Sequence, residues 1–176
     1  MSIHEIDHGL LARAGLRLEV SGIVATITLN RAASKNSQTP ATWEALHVIG
    51  SELDPGIRVV VVRGEGDTFS SGLDRRMLTP EGVDGEASLL QLLEISDAEL
   101  ADVLAGYQEG FTWLRRPDIM SIAAVQGHAV GAGFQLALAC DLRVLADDAQ
   151  LAMREPLLGL VPDLTGTKPL VELVGY

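Results

Sequence analysis

Alternating apolar and polar positions near the N-terminus predict a β-hairpin. Residues 16–20 and 23–29 alternate and are rich in β-branched side chains, and Ser21-Gly22 between them suits a tight turn. Residues 57–63 and 119–125 are more continuously apolar, which is typical of strands covered on both faces. Shorter apolar runs at residues 141–145 and 151–153 predict further strands.

Longer segments with helix start and stop signals lie between these strands. Thr39-Pro40 predicts a helix start and a helix to residue 53, and Ser96 with Glu99 forms a capping box for a helix to residue 115. We predict further helices at residues 75–78, 134–140 and 164–176, and a mobile loop at residues 79–95. Strands alternating with helices in short units indicate a single α/β domain.

Composition and net charge indicate which partners and which cellular compartment to expect. The chain has 176 residues, 47% of them hydrophobic, and a net charge of −11, which disfavours binding to nucleic acid or to anionic membranes. The single cysteine, Cys140, cannot form an internal disulfide, and its apolar surroundings predict a buried thiol in a reducing compartment. With no signal peptide and no membrane-spanning run in the sequence, we expect a cytoplasmic protein.

A cluster of small residues follows the predicted strand at 119–125. Gly127, Gly131, Ala132 and Gly133 lead into the apolar helix at 134–140. Backbone N–H groups at such a helix start are unpaired and suit a developing negative charge, and small residues let a ligand approach the backbone. For the glycines alone, tight packing of helix on strand is the favoured explanation. Leu136 stands where a dinucleotide-binding fingerprint needs its third glycine.

An ordered set of motifs resembles the crotonase (enoyl-CoA hydratase/isomerase) superfamily. The motifs are Ile27-Thr28-Leu29-Asn30-Arg31, residues 69–74, residues 127–141, and residues 155–167 with Gly159, Pro162 and Gly166. The resemblance implies a crotonase-like spiral of ββα units, an acyl-CoA thioester substrate, and a homotrimer or hexamer. Family members usually continue past the Leu173-Val174-Gly175 segment. The resemblance therefore predicts that residues 1–176 are an N-terminal core without the C-terminal helical trimerisation region.

The resemblance also implies an oxyanion hole. Chemistry shared by the family builds negative charge on the thioester carbonyl oxygen, which two fixed N–H donors stabilise. By position in the motifs, these donors are the backbone amides of Leu73 and Ala132. Leu73 replaces a small residue that is common there, but only its amide is needed.

The predicted acid and base differ from those of a hydratase. Hydratases that this sequence resembles use two glutamates; one matches Glu155, and the other falls at Gln135, which cannot transfer a proton. Asp163 matches an aspartate of dienoyl-CoA isomerases, although a CoA-thioester dehalogenase branch also has aspartate there, and a helix N-cap is the structural alternative. Glu155 and Asp163 as proton shuttles favour double-bond isomerisation.

Two alternatives to isomerisation stay open. One is an enoyl-CoA hydratase that uses Glu155 alone, and the other is a non-catalytic acyl-CoA-binding protein, which the loss of an acid at Gln135 suggests. For coenzyme A, the resemblance implies contacts from Arg31, Ser71 and Gly72. We expect no cofactor apart from coenzyme A as part of the substrate, and the histidines show no metal-ligand spacing.

Overall fold

A computed structural model of the chain describes residues 6–83 and 85–176. Its main sheet has five strands in the order β1-β2-β3-β4-β6. The β1–β2 pair is antiparallel and the other pairs are parallel. The strands are β1 (Leu16–Ser21), β2 (Val24–Leu29), β3 (Val59–Gly64), β4 (Met120–Val125) and β6 (Leu142–Leu145).

A second, smaller sheet lies beside the glycine cluster, which consists of the small residues Gly127, Gly131, Ala132 and Gly133. It pairs β5 (His128–Val130) with β7 (Gln150–Ala152) in parallel. An isolated parallel bridge between Ser70 and Ala129 extends this sheet toward the segment that follows β3. The second sheet therefore brings three distant segments of the chain side by side.

Six α-helices are described. They are α1 (His8–Ala14), α2 (Pro40–Ser51), α3 (Leu89–Leu92), α4 (Asp97–Thr112), α5 (Ala132–Ala139) and α6 (Thr167–Val174). Short 3-10 helices occupy Ala32–Ser34, Arg75–Leu78, Trp113–Arg115 and Glu155–Leu158. The order β4-β5-α5 followed by β6-β7-α6 is a repeated ββα unit, which confirms the predicted mixed α/β architecture.

The hydrophobic core lies between the main sheet and the helices. Ile27 of β2, Val62 of β3, Leu46 of α2, Phe111 of α4 and Leu136 of α5 are each 0% exposed. Complete burial of such a side chain stabilises the fold by about 1.5–3 kcal/mol. This core includes residues of β4 and α5, and β5 lies between these two elements in the chain.

Local signals in the sequence predicted several elements correctly. The hairpin turns at Gly22, whose φ of 60° suits glycine, and α2 begins at Pro40. At the start of α4, the Ser96 N–H donates to Glu99 Oε2 at 3.0 Å and Ser96 Oγ accepts from the Glu99 N–H at 3.3 Å. This reciprocal pair confirms the predicted capping box.

Three predictions were wrong or incomplete. The supposed loop at residues 79–95 contains α3, which a capping box between Ser88 and Gln91 begins; residue 84 lies outside the described residues. Helix α1 was not predicted, although Asp7 and Gly15 cap it. The strand β5 interrupts the supposed direct turn from strand to helix, because it pairs with a strand distant in the sequence.

Candidate functional site

A cavity of about 940 Å³ lies where the glycine cluster faces the segment after β3. Residues from α2, α3, α4 and α5 line it, together with residues of three 3-10 helices, Ala32–Ser34, Arg75–Leu78 and Glu155–Leu158. The lining includes Trp43, Leu73, Leu89, Leu104, Tyr107, Ala132, Gln135, Glu155 and Asp163. The three predicted catalytic residues, Gln135, Glu155 and Asp163, therefore share one cavity with the two predicted amide donors.

The amides of Leu73 and Ala132 are available for a ligand. Around Leu73, the Gln38 N–H donates to the Gly72 carbonyl and the Asp74 N–H donates to the Gln38 carbonyl, both at 2.8 Å. This bridge turns the Leu73 N–H away from the Gln38 strand. Ala132 is the first residue of α5, where an N–H has no partner within the helix. Neither amide donates to an acceptor among the described residues.

Close backbone contact brings these two segments together. A Cβ on Gly72 would lie 2.4 Å from the Val130 carbonyl oxygen and 3.3 Å from the Ala132 nitrogen. Gly72 also has a φ of +87°, which L side chains rarely adopt. Only glycine at this position lets the Leu73 segment pack directly against the start of α5.

Glu155 is a buried carboxylate on the cavity wall. It begins the 3-10 helix Glu155–Leu158 and is 9% exposed. Its Oε1 accepts a hydrogen bond of 2.6 Å from Gln135 Nε2, while its Oε2 is buried and has no hydrogen-bond partner among the described residues. A carboxylate oxygen buried without a partner is costly, and such exceptions concentrate at catalytic groups.

Asp163 lies on the same cavity, before α6. Burial, and secondarily the charge of Glu155, raise the pKa of Asp163 above its ordinary value. The carbonyl of Asp163 accepts a hydrogen bond of 2.7 Å from Gln108 Nε2. The helix cap that follows is Gly166, so the alternative interpretation of Asp163 as the N-cap is wrong. The side chain is left for the cavity.

The three residues predicted to contact coenzyme A differ in whether they line the cavity. Ser71 lines the cavity, whereas Gly72 does not line it and lies at the backbone contact with Val130 described above. Arg31 does not line it. Its guanidinium donates to Asp74 Oδ2 and to the Ser37 carbonyl, each at 3.0 Å. Its role toward coenzyme A stays a prediction.

Asp74 connects Arg31 to the segment that contains Leu73. Its side chain is 8% exposed and accepts from Arg31, Arg76 and Ser37. Hydrogen bonds from Arg76, with a smaller contribution from Arg31, hold the pKa of Asp74 well below its usual range. Because Asp74 directly follows Leu73, this network fixes the direction of the Leu73 amide.

Several cationic side chains also line the cavity: Lys35, Arg75, Arg76 and Arg154. Lys35 is paired with Asp67 at 2.8 Å, and both side chains are exposed. Screened cations of this kind suit the anionic end of a ligand that approaches from solvent.

Sequence reasoning missed the wall formed by α3 and α4. The rings of Tyr107 and Trp43 pack against each other in a tilted arrangement, with ring centroids 4.9 Å apart and an interplanar angle of 60°, and both residues line the cavity. Gly110 permits this, because a Cβ there would lie 2.4 Å from the Trp43 carbonyl oxygen. Burial, then the charges of Glu86 and Asp163, raise the pKa of Tyr107, which keeps the phenol neutral. Helical spacing of Leu104, Tyr107 and Phe111 was the available signal.

Neither a metal-binding cluster nor a membrane-spanning helix is found in the part of the chain that the structure describes. Among residues 6–83 and 85–176, no three His, Cys, Asp or Glu side chains are grouped so as to hold a metal ion. No helix in this part of the chain is long and apolar enough to cross a membrane.

Known proteins resemble the chain over most of its length. A sequence model of the family described as enoyl-CoA hydratase/isomerase matches residues 19–176. Carnitinyl-CoA dehydratase of Escherichia coli (strain K12) is 34% identical over 161 residues, covering 90% of this chain and 56% of the relative. A probable enoyl-CoA hydratase of Bacillus subtilis (strain 168) is 32% identical over 161 residues. This match covers 91% of this chain and 57% of the relative. The chain thus spans a little over half the length of these curated relatives.

Solved structures agree with this assignment. A Thermobifida fusca YX protein, provisionally an enoyl-CoA hydratase, was solved in complex with acetoacetyl-CoA; it is 58% identical with a TM-score of 0.92, covering 97% of this chain and 66% of that one. The same protein in complex with CoA gives 57% identity and a TM-score of 0.89, covering 96% of this chain and 63% of that one. The predicted crotonase-type fold is confirmed by these matches.

Proposed function

The chain belongs to the enoyl-CoA hydratase/isomerase family, and from that premise we propose that it processes acyl-CoA thioesters by stabilising a thioester enolate. One observation carries the proposal: the unpaired Leu73 and Ala132 amides share a cavity with the carboxyl groups of Glu155 and Asp163. The binding of acetoacetyl-CoA and CoA to the similar Thermobifida fusca protein supports a CoA ester as ligand.

In this proposal the two amides form the oxyanion hole. When a proton leaves the carbon beside the thioester, negative charge builds on the carbonyl oxygen, and preorganised N–H donors stabilise it without reorganisation. Removing one such donor typically costs about 3–4 kcal/mol in the activation barrier. The close contact at Gly72 keeps the two donor segments together, so the hole exists before the substrate arrives.

The specific reaction proposed is a double-bond shift. Glu155 removes a proton at one carbon, the enolate is held, and Asp163 delivers a proton at another carbon. A raised pKa suits Asp163 as the donor, because its carboxyl group keeps its proton to higher pH. Gln135 supports this choice over hydration, since a neutral amide stands where a second acid would activate water. The acyl substituents pack against the apolar wall of α3 and α4.

Hydration or dehydration is the second candidate, favoured by the names of the relatives. Here Glu155 alone would act on the attacking or leaving water, with slow turnover expected.

Incubation with CoA thioesters in deuterated water separates the candidates. The panel holds 2-enoyl, 3-enoyl and 3,5-dienoyl esters, and mass spectrometry reads the products. Deuterium incorporation with a moved double bond and no added water supports isomerisation. A product heavier by one heavy water from the 2-enoyl ester contradicts it and establishes hydration.

Variants assign the two carboxyl groups. Asp163→Asn should abolish isomerisation while any hydration through Glu155 survives, and Glu155→Gln should abolish both. Asp147→Asn is the matched control, because Asp147 is an exposed carboxylate that does not line the cavity. Binding of esters without turnover by any form would instead identify an acyl-CoA-binding protein.

A further inference from the structure

Gln135 is a buried polar side chain of the cavity wall. It is 1% exposed, and both ends of its amide are used. Oε1 accepts from the Gly166 N–H at 3.0 Å, and Nε2 donates to Glu155 Oε1 at 2.6 Å. Because a backbone N–H can only donate, the amide oxygen must face Gly166 and the nitrogen must face Glu155.

The packing leaves this amide one orientation. A Cβ on Gly166 would lie 2.6 Å from Gln135 Cγ and 2.9 Å from its Oε1. A Cβ on Gly131 would lie 3.4 Å from Glu155 Oε1. The contact at Gly131 is an ordinary van der Waals distance, whereas Gly166 is needed for the segment before α6 to pack directly on the Gln135 side chain.

We propose that Gln135 is a positioning residue that directs Glu155 and leaves it a single reactive oxygen. Its amide occupies Oε1, so only Oε2, which has no partner among the described residues, is free to take or give a proton. The inference rests on the proposed function, since it assigns the geometry of the base in that reaction. Gln135 itself transfers no proton.

A neutral donor at this position has a second consequence. A carboxyl group in place of the amide would lie at hydrogen-bond distance from Glu155. Repulsion between like charges disfavours ionisation of both groups, so the two would share one proton. Besides Glu155, the titratable side chains that line the cavity are the acids Asp163 and Asp74, the phenol of Tyr107, and the cations Arg154, Arg75, Arg76 and Lys35. Gln135 therefore lets Glu155 act as an independent base opposite Asp163.

The test compares Gln135→Met with Gln135→Glu. Methionine keeps the volume and removes both hydrogen bonds, so misdirection of Glu155 should lower kcat about 100-fold with KM changed less than about threefold. Glutamate can replace the donor only when it carries a proton. Its kcat relative to that of Gln135→Met should therefore rise as the pH is lowered, which a purely structural role would not produce.

Gln126→Met is the matched control. Gln126 Nε2 also donates to backbone carbonyls, those of Gly64 and Gly66, but the side chain does not line the cavity. We expect wild-type kcat from this variant. A loss in Gln135→Met no larger than in Gln126→Met would overturn the positioning role.

Nuclear magnetic resonance tests the contact without turnover. In the wild-type protein, the Nε2 protons of Gln135 should be strongly deshielded by the Glu155 carboxylate, and Glu155→Gln should move that signal while leaving the Gln126 signal in place. The Glu155 carboxyl carbon signal should also shift in Gln135→Met. Unchanged signals refute the inference even if no ester is turned over, whereas absent turnover with the expected shifts refutes only the proposed reaction.

Discussion

Replacing Asp74 by Asn tests whether its ion-pair network stabilises the segment that presents the Leu73 amide. The buried carboxylate accepts from Arg31 Nη2 at 3.0 Å and from Arg76 Nη2 at 2.8 Å. The Arg31 side chain is 24% exposed and that of Arg76 is 58% exposed. Arg76 lowers the pKa of Asp74 more, but its greater exposure means that solvent screens its pair with Asp74 more, so we assign most of the stabilisation to Arg31.

The magnitude follows from this difference in exposure. A hydrogen bond to a charged group contributes about 1.5–3 kcal/mol, while an exposed pair contributes about 0–1 kcal/mol. Asparagine keeps the shape and one acceptor, so we expect a loss of about 2 kcal/mol in the free energy of unfolding. For a chain of this size that corresponds to a melting temperature lower by about 4–8 °C.

The pH dependence has a definite sign. Since the arginines lower the pKa of Asp74 in the folded state, the stabilisation is present above the unfolded value of about 3.9 and is lost as the pH falls below it. Thermal unfolding followed by circular dichroism should therefore show the full difference between wild type and Asp74→Asn at pH 7. The difference in melting temperature should then shrink progressively as the pH falls below about 4.

Asp67→Asn is the matched control for this experiment. Asp67 pairs with Lys35, and both side chains are exposed, so its replacement should leave the melting temperature nearly unchanged. Equal melting temperatures for wild type and Asp74→Asn at pH 7, or a difference that persists undiminished in acid, would refute the reasoning.

Three other predictions concern single residues. Asp163→Asn should stabilise the fold at neutral pH, because burial and then Glu155 raise the pKa of Asp163; in thermal unfolding the gain should vanish as the pH falls below about 4, and no gain at pH 7 would contradict this. Burial raises the pKa of Cys140 to about 12, so a thiol reagent at pH 8 should label it only after denaturation, and rapid labelling of the native protein would show otherwise. Gly72→Ala should cost about 2–4 kcal/mol in urea unfolding through strain and contact with the Val130 carbonyl oxygen, and a neutral result would mean that the backbone contact can relax.

Elements with local signals were predicted well from sequence. The capping pair of Ser96 and Glu99 is three residues apart, and the hairpin turn at Gly22 lies between its own strands. Such signals act within one turn of helix or one hairpin, so they need no knowledge of the fold. Helix α3 was nevertheless missed. Its capping box at Ser88 is equally local, but the glycines and acidic residues around it suggested a loop.

The candidate site was only partly predictable. Glu155, Asp163 and Gln135 were selected from motifs, and the structure places all three on one cavity. That Gln135 binds Glu155 could not be read from the sequence, because the two lie 20 residues apart and β6 and β7 intervene. Arg31 matched a motif as well, yet its guanidinium binds Asp74, 43 residues away.

The sequence alone indicated where elements with a strong local signal begin, such as the hairpin, α2 and α4, since these signals depend on neighbours a few positions apart. Tertiary structure decided which of those residues act together. Gly72 and Gly166 are small residues in the sequence, and only the fold shows that backbone or side-chain atoms occupy the space of a Cβ at each. The physical reason is that close packing depends on distances between elements that local propensities leave undefined.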